Sequence, residues 1–323
     1  MRTAATLALL SAAVGLAACV ATEPAPVPVS APAVKPRTAP GASPKPQVRT
    51  GSGLDPALVS FYQRQEQSLL SQGLLRRDGG GPDTPFDAST LAQSFVSIAL
   101  FDEYSEGPGG QLVQGATKSR LRRWDQPVRL GLTFGGGVPD AVRTRDRAAI
   151  ASYAQRLSRV TGHPVELTDA SRANFHVLVL GEGDRRAAGP LIRSLVPRVS
   201  SGSVAAATNL PTDIYCLALA FSEPGTFTYT SALAVVRAEH PDLTRLSCYH
   251  EEIAQGLGLA NDSPTARPSI FNDDEEFALL TTHDELLLRI LYDSRLRPGM
   301  TPAQAEPVAR TVAAELLGEP GAI

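Results

Sequence analysis

Two adjacent glutamates and a glutamine in the C-terminal third of the chain are the side chains best suited to chemistry. Glu251 and Gln255 are four residues apart, so they share one face of a helix, and Glu252 lies beside that face. A glutamate in such a position can act as a general base, while side chains at i and i+4 can contact one ion. The sequence therefore provides a candidate catalytic residue, Glu252, flanked by two candidate ligands.

A helix that ends at a glycine is predicted to hold these side chains in place. Leu246, Ile253 and Leu257 recur at helical spacing, which indicates one apolar face. Gly258 is typical of the turn that ends a helix.

The pattern resembles the zinc-binding helix of the metzincin metallopeptidases, in which a glycine turn leads to a third ligand. The general-base glutamate, Glu252, and the turn glycine, Gly258, match that pattern. All three histidine ligands are replaced, by Glu251, Gln255 and Asn261. Starting the motif at His250 instead would put an alanine at the second ligand and a leucine at the glycine, so we prefer the first register.

Two later stretches also resemble this clan. Residues 268–272 are similar to the metzincin Met-turn, with Phe271 in place of the methionine, and residues 280–292 are similar to its C-terminal helix. Residues 86–315 as a whole resemble a bacterial family called domain of unknown function 2927, through the signatures E-E-x-x-Q-x-L-G-L-x-N-D and S-I-F-N-D. The resemblance implies an α+β, metzincin-like fold with a mixed twisted sheet, long helices and a small C-terminal helical subdomain. It also implies a location in the cell envelope, but no reaction.

The predicted elements follow the order that this fold requires. A helix capped by Asp87 or Ser89 is predicted, with an apolar face from Leu91 to Phe101, and a loop is predicted over residues 107–115. Trp124, the only tryptophan, is predicted to anchor the core. A long helix is predicted over residues 140–160, and strands over residues 128–134, 164–167, 175–180, 214–221 and 228–236.

The N-terminus is typical of a targeting segment. Arg2 precedes a short apolar run, and Leu16-Ala-Ala-Cys19 resembles the lipobox of bacterial lipoproteins. The resemblance implies removal of a signal peptide over residues 1–18 and a membrane anchor of acyl chains on Cys19. Val20 favours the outer membrane, so we expect the chain on its inner leaflet, facing the periplasm.

Composition divides the rest of the chain. Residues 19–53 are rich in proline and alanine and are predicted to form an extended tether. Residues 54–78 are predicted to be a helical arm that either packs on the main domain or stands apart. Glycines follow it, and the metzincin-like domain is expected over residues 86–317.

Two cysteines remain once Cys19 carries lipid. In an oxidising compartment, Cys216 and Cys248 are predicted to form a disulfide that joins a strand to the helix carrying Glu251. Two buried, unpaired thiols are the alternative. A catalytic thiol is not expected, because His250 is the only histidine close in sequence to either cysteine.

Charge excludes one class of partner. The formal net charge is −3 in 323 residues, and no basic run alternates with aromatic residues, so nucleic-acid binding is not expected. After the signal peptide, no apolar run reaches the length of a membrane span.

The candidate ligands define two alternative functions. One carboxylate and two amides are a poor set for zinc and would hold calcium or magnesium loosely, so no metal cofactor is expected. One alternative is a catalytically degenerate peptidase fold that binds or scaffolds envelope proteins or peptidoglycan. The other is a noncanonical hydrolase in which Glu252 is the general base, either without a metal or with a nonstandard metal site. Such a site would be built from His250, Glu251, Asp262 and His283.

Overall fold

The computed structural model describes residues 53–107 and 112–318. The predicted signal peptide, the predicted lipidation site Cys19 and the predicted tether up to residue 52 lie outside the described residues. Within the two described ranges, no helix is both long enough and apolar enough to cross a membrane.

Eight strands are found in the described residues. They are β1 (Phe101–Glu106), β2 (Leu112–Lys118), β3 (Arg123–Trp124), β4 (Val128–Phe134), β5 (Val165–Thr168), β6 (Phe175–Leu180), β7 (Cys216–Ser222) and β8 (Thr228–Arg237). β1 and β2 form an antiparallel hairpin, and the other six form one mixed sheet. Within it the order is β3-β8-β6-β4-β5, all parallel, and β7 lies antiparallel along β8.

Helices cover both faces of the mixed sheet. Every residue of β6 is buried, as expected for a parallel strand with helices on both sides. Phe175 and Val177 face the main core, whereas Leu178 and Leu180 face a smaller second cluster. The helices are α1 (Pro56–Ser71), α2 (Ala88–Ala99), α3 (Asp140–Thr161), α4 (Glu182–Arg186), α5 (Gly189–Leu195), α6 (Ser201–Thr208), α7 (Asp242–Leu257), α8 (Thr282–Leu291) and α9 (Pro302–Leu317).

The main core joins α2, α3, α7, α8 and α9 to one face of the sheet, whereas residues of α5 and α6 pack on the other face. The predicted mixture of a sheet with long helices is confirmed at this level. Trp124 is 1 % exposed, and its Nε1 donates a hydrogen bond to the Gly256 carbonyl at 2.8 Å, so it anchors the core as predicted. The two C-terminal helices, α8 and α9, share this core and pack against α2.

The predicted helical arm, α1, packs on the main domain. Asp55 caps it by accepting a hydrogen bond from the Ala57 N–H, and Leu58, Phe61 and Tyr62 enter the main core. Further along α1, a Glu66 carboxylate oxygen accepts hydrogen bonds from the N–H and the hydroxyl of Thr244, in the first turn of α7. Because α1 is tied to α7, it belongs to the folded unit.

The chain after α2 differs from the prediction. The helix ends at Ala99, and Phe101 begins β1; the region predicted to be a loop contains the start of β2. Residues 113–118 of β2 are exposed, and a strand that buries no face gives no apolar alternation to detect. Three short helices, α4 to α6, also occupy the stretch between β6 and β7, where no element was predicted.

Candidate functional site

α7 carries the candidate residues and is buried along most of its length. It packs against β7 and β8 on one side and α3 on another. The helix approaches the sheet closely at Gly256, where a Cβ would lie 2.3 Å from the Phe175 ring. It ends at Gly258, which has a φ of 130° and would bring a Cβ within 2.4 Å of the Arg122 carbonyl, so only glycine fits this turn.

An open cleft lies between α7, β7 and the β1–β2 hairpin. Glu251, Glu252 and Gln255 of α7 form one wall, and residues 214–218 form the other. The three α7 side chains are 5 %, 4 % and 8 % exposed, so they are held by the fold although they border the cleft. The helix therefore presents two carboxylates and one amide at a cleft that β7 also lines.

The predicted third ligand position faces elsewhere. The Asn261 side-chain amide donates hydrogen bonds to the Ser97 carbonyl at 2.9 Å and to the Asp262 carbonyl at 2.7 Å, and its own N–H binds the Ile98 carbonyl. Asp262 lines the cleft instead, where its Oδ1 accepts a hydrogen bond from the Gln255 amide at 3.3 Å. The structure thus brings Glu251, Gln255 and Asp262 to the cleft, while the amide of Asn261 fixes the loop to α2.

The predicted disulfide between Cys216 and Cys248 is confirmed, and it joins the start of β7 to α7. The Cys216 sulfur and carboxylate oxygens of Glu251 and Glu252 all lie within 4.8 Å of one another. A sulfur in a disulfide is not the thiolate that binds a metal. The metal-binding potential of this cluster therefore rests on the two carboxylates.

Neither candidate histidine lines the cleft. His250 is 8 % exposed; its Nδ1 accepts a hydrogen bond from the Leu280 N–H at 3.0 Å, and its ring stacks on Tyr153 at 4.0 Å. Burial, reinforced by the nearby charge of Arg156, lowers the pKa of His250 to about 3, so the ring is neutral at ordinary pH. His283 is 1 % exposed and makes an edge-to-face contact with Phe86.

The residues present do not fit a zinc ion. Protein zinc sites are built from imidazole and thiolate ligands, often with one carboxylate. The described residues that line this cleft include no histidine, and Cys216, the only cysteine among them, is in a disulfide. The available carboxylate and amide oxygens are the donors that hard cations prefer.

A buried turn lies next to the loop that follows α7. The Ser263 N–H donates to the Phe271 carbonyl at 2.7 Å, and Phe271 is fully buried. Asp284, in the first turn of α8, fixes this turn by accepting hydrogen bonds from the Ser269 hydroxyl at 2.6 Å and from the Ile270 N–H at 3.1 Å. The turn at Phe271 therefore supports the chain that carries Asp262 into the cleft.

The hairpin supplies site residues that sequence reasoning missed. Glu103 and Tyr104 of β1 and Gln114 of β2 also line the cleft. Burial, together with the charges of Glu103, Glu252 and Asp262, raises the pKa of the Tyr104 phenol. The sequence predicts a helix end before this hairpin and a loop within it. No pattern in the sequence therefore indicates that Glu103, Tyr104 and Gln114 lie at the site.

Comparison with known proteins gives one match. A family model described as protein of unknown function (DUF2927) matches residues 88–311, which is more than half of the 323-residue chain. No curated protein and no solved structure matches the chain. The matched range includes α7, the cleft residues and the Phe271 turn.

Proposed function

We propose that this chain, which belongs to the family described as protein of unknown function DUF2927, is a periplasm-facing lipoprotein. In this proposal, its folded domain binds an extended polypeptide segment. One observation carries this proposal: the cleft is bordered by polar side chains of α7 and by residues of β7. Within the described residues, β7 pairs only with β8. A strand edge of this kind can accept a further strand through backbone hydrogen bonds.

A metzincin-like architecture is the finer part of the proposal. Its support is a parallel sheet with one antiparallel edge strand, a buried helix that ends at Gly258, and the buried turn at Phe271 beside the following loop. In this view the groove of a peptidase fold serves as a binding site. The donor set around Glu251 supports recognition over metal-assisted cleavage, because it lacks the nitrogen and thiolate ligands of zinc.

Filling the cleft tests the binding role. Ala218 of β7 lines the cleft, and Ala218→Trp would place an indole where the segment is proposed to lie. A synthetic nonapeptide library should be retained by the immobilised full chain and lost with Ala218→Trp. Thr230→Trp, at an exposed position of the same sheet, is the control and should retain the library. Equal retention by the two variants would place any peptide binding outside this cleft.

The membrane anchor has its own test. We expect the full chain, expressed in a bacterium with a lipoprotein pathway, to incorporate labelled palmitate and to fractionate with the outer membrane. The variant Cys19→Ala should lose both the label and the membrane association. Label that persists in this variant would remove Cys19 as the lipidation site without affecting the proposed role of the cleft.

A hydrolase is the second candidate, because Glu252 is a buried carboxylate that borders the cleft and so satisfies the first requirement of a general base. Neither His250 nor His283 reaches the cleft, so a catalytic role would depend on Glu252 and the groups around it. Glu252→Gln keeps the size of the side chain and removes the base. Cleavage of retained peptides by the wild type, lost in Glu252→Gln, would favour the hydrolase; retention without cleavage in both favours the binding module.

A further inference from the structure

We infer that ligand binding in the cleft depends on the docking of α1, the helix that follows the predicted tether. This helix precedes the family-matched range, residues 88–311, yet its side chains contact the elements that form both walls of the cleft. α1 thus acts as a positioning element for the site. The inference rests on the proposed binding function and adds a route by which the anchored arm controls it.

α1 supplies the N-terminal cap that α7 lacks. The helix α7, which forms one wall of the cleft, follows Pro241, and this residue makes no side-chain cap. The N–H of Thr244 in the first turn has no partner within the helix, and Glu66 of α1 accepts from it at 2.9 Å and from the Thr244 hydroxyl at 2.7 Å. A carboxylate at this end of a helix also interacts favourably with the helix dipole. Because Glu251 lies about two turns further along α7, Glu66 fixes the end from which this wall extends.

The same face of α1 holds the other wall. Tyr62, about one turn earlier in α1, donates a hydrogen bond from its hydroxyl to the Thr212 carbonyl at 2.9 Å. Its ring is 1 % exposed and makes edge-to-face contacts with Tyr215 at 5.8 Å and with His240 at 4.3 Å. The His240 Nε2 donates in turn to the Tyr215 carbonyl at 2.9 Å. Tyr215 lines the cleft, so Tyr62 supports this wall where it begins.

Side chains from other elements hold the stretch of chain that leads into β7. The Arg237 guanidinium donates to the Leu210 carbonyl at 2.7 Å and to the Ile214 carbonyl at 3.2 Å. The Tyr62 hydroxyl binds the Thr212 carbonyl between these two. A carbonyl that loses its donor away from water costs free energy, and the chain moves to recover a partner. Loss of the Tyr62 hydroxyl would therefore loosen the first residues of this wall.

The chain that enters α1 lies against the sheet. A Cβ on Gly137 would lie 2.9 Å from the Leu54 nitrogen, and a Cβ on Gly181 would lie 3.2 Å from the Leu54 Cδ2. These glycines follow β4 and β6, so Leu54 lies near the carboxyl ends of two neighbouring parallel strands. A force on the tether would act on Leu54 first. It would then reach Tyr62 and Glu66 through the helix that they share.

Coupling of this kind acts in both directions. If docked α1 raises the affinity of the cleft for a ligand, then a ligand in the cleft stabilises the docked arm by the same factor. The inference can therefore be measured at the cleft, as binding, and at the arm, as protection of its backbone N–H groups from hydrogen exchange.

Three variants of the full chain and one control test the inference. Tyr62→Phe removes the donor to Thr212 and keeps the buried ring. Glu66→Ala removes the cap of α7, whereas Glu66→Gln keeps an acceptor oxygen for the same hydrogen bonds. Tyr292→Phe is the matched control, because it also removes a hydroxyl that donates to a carbonyl, that of Leu257 at 3.1 Å, and neither residue lines the cleft.

Binding is measured as retention of the synthetic nonapeptide library at concentrations that occupy few sites, where retention is proportional to affinity. We expect Tyr62→Phe and Glu66→Ala each to lower retention about fivefold, the effect of one hydrogen bond. Glu66→Gln should recover most of this loss, and Tyr292→Phe should match the wild type.

Hydrogen exchange followed by mass spectrometry gives the second readout. In Tyr62→Phe the amides of residues 210–216 should exchange about fivefold faster, while those of α1 stay protected because Leu58 and Phe61 keep it docked. In the wild type, a saturating concentration of the library should slow exchange in α1.

The other outcomes separate this inference from the function beneath it. Unchanged retention in Tyr62→Phe or in Glu66→Ala would overturn the inference and leave the proposed function in place, and so would an equal loss in Tyr292→Phe. Unchanged exchange of residues 210–216 in Tyr62→Phe would show that the hydroxyl does not hold the wall, and would overturn the inference too. Failure of the wild type to retain the library would overturn the proposed function, and this inference with it.

Discussion

His250 gives the sharpest test of whether the histidine next to the two glutamates is structural. Burial lowers its pKa to about 3, against about 6.5 in an unfolded chain. As the pH falls below 6.5, the unfolded chain therefore takes up this proton first, and stability declines until the pH approaches 3. Between pH 7 and pH 5 the expected loss from this one group is about 2 kcal/mol, at about 1.36 kcal/mol per pKa unit.

The perturbation is His250→Gln, which removes the titration while keeping an acceptor for the Leu280 N–H. Urea unfolding of the full chain at pH 8, 7 and 5 gives the free energy of unfolding of both proteins. The variant will be less stable at pH 7 because it loses the stacking on Tyr153, but that cost does not depend on pH. The difference in free energy of unfolding between wild type and variant should stay constant from pH 8 to pH 7. It should then be smaller by about 2 kcal/mol at pH 5.

The same dependence of the free energy of unfolding on pH in the two proteins would refute this reasoning. It would mean that His250 titrates alike in the folded and unfolded chains, as an exposed ring would. Such a ring could turn toward the cleft and contribute to a metal site with Glu251. The pH experiment therefore also tests one version of the hydrolase alternative.

Two further predictions concern the elements that border the cleft. The double variant Cys216→Ser, Cys248→Ser should lose about 4 kcal/mol of unfolding free energy, because the disulfide closes a loop of 32 residues. In urea unfolding, the wild type in reductant should have the same midpoint as this variant. A midpoint equal to that of the oxidised wild type would contradict the loop-closure argument. Gly256→Ala should lower stability by about 1–3 kcal/mol although alanine favours helices, because its Cβ would lie 2.3 Å from Phe175. Thermal unfolding measures this loss of stability, and adding Phe175→Leu should recover part of it. A Gly256→Ala protein more stable than the wild type would show that α7 does not contact the sheet closely at this residue.

Elements with a clear periodic pattern could be predicted from the sequence alone. β4 and β6 have the predicted bounds, and α3 spans Asp140–Thr161 where residues 140–160 were predicted. Their side chains alternate or recur because each element buries one or both faces in the core. The cysteine pair was also predictable, since its argument needed only the compartment and the count of thiols.

Other parts of the site could not be predicted, because they carry no burial pattern or depend on contacts with distant residues. The hairpin bearing Glu103 and Tyr104 is held by pairing between its own two strands, and β2 is exposed, so it carries no burial pattern. Whether Asn261 or Asp262 lines the cleft depends on the direction in which the Asn261 side chain points after the turn at Gly258. That direction is set by carbonyls of α2, more than 150 residues earlier in the chain.

Two of the three predicted ligand places, Gln255 and Asn261, make structural contacts of their own, and these contacts argue against a weakened zinc site. Asn261 holds the loop to the end of α2, and Gln255 donates to Asp262 across the turn. The Cys216 sulfur, already in a disulfide, lies among the oxygens of Glu251 and Glu252. Imidazoles in place of Gln255 and Asn261 would lose these hydrogen bonds. The cleft beside β7 is the surface that the proposed recognition of a polypeptide would use.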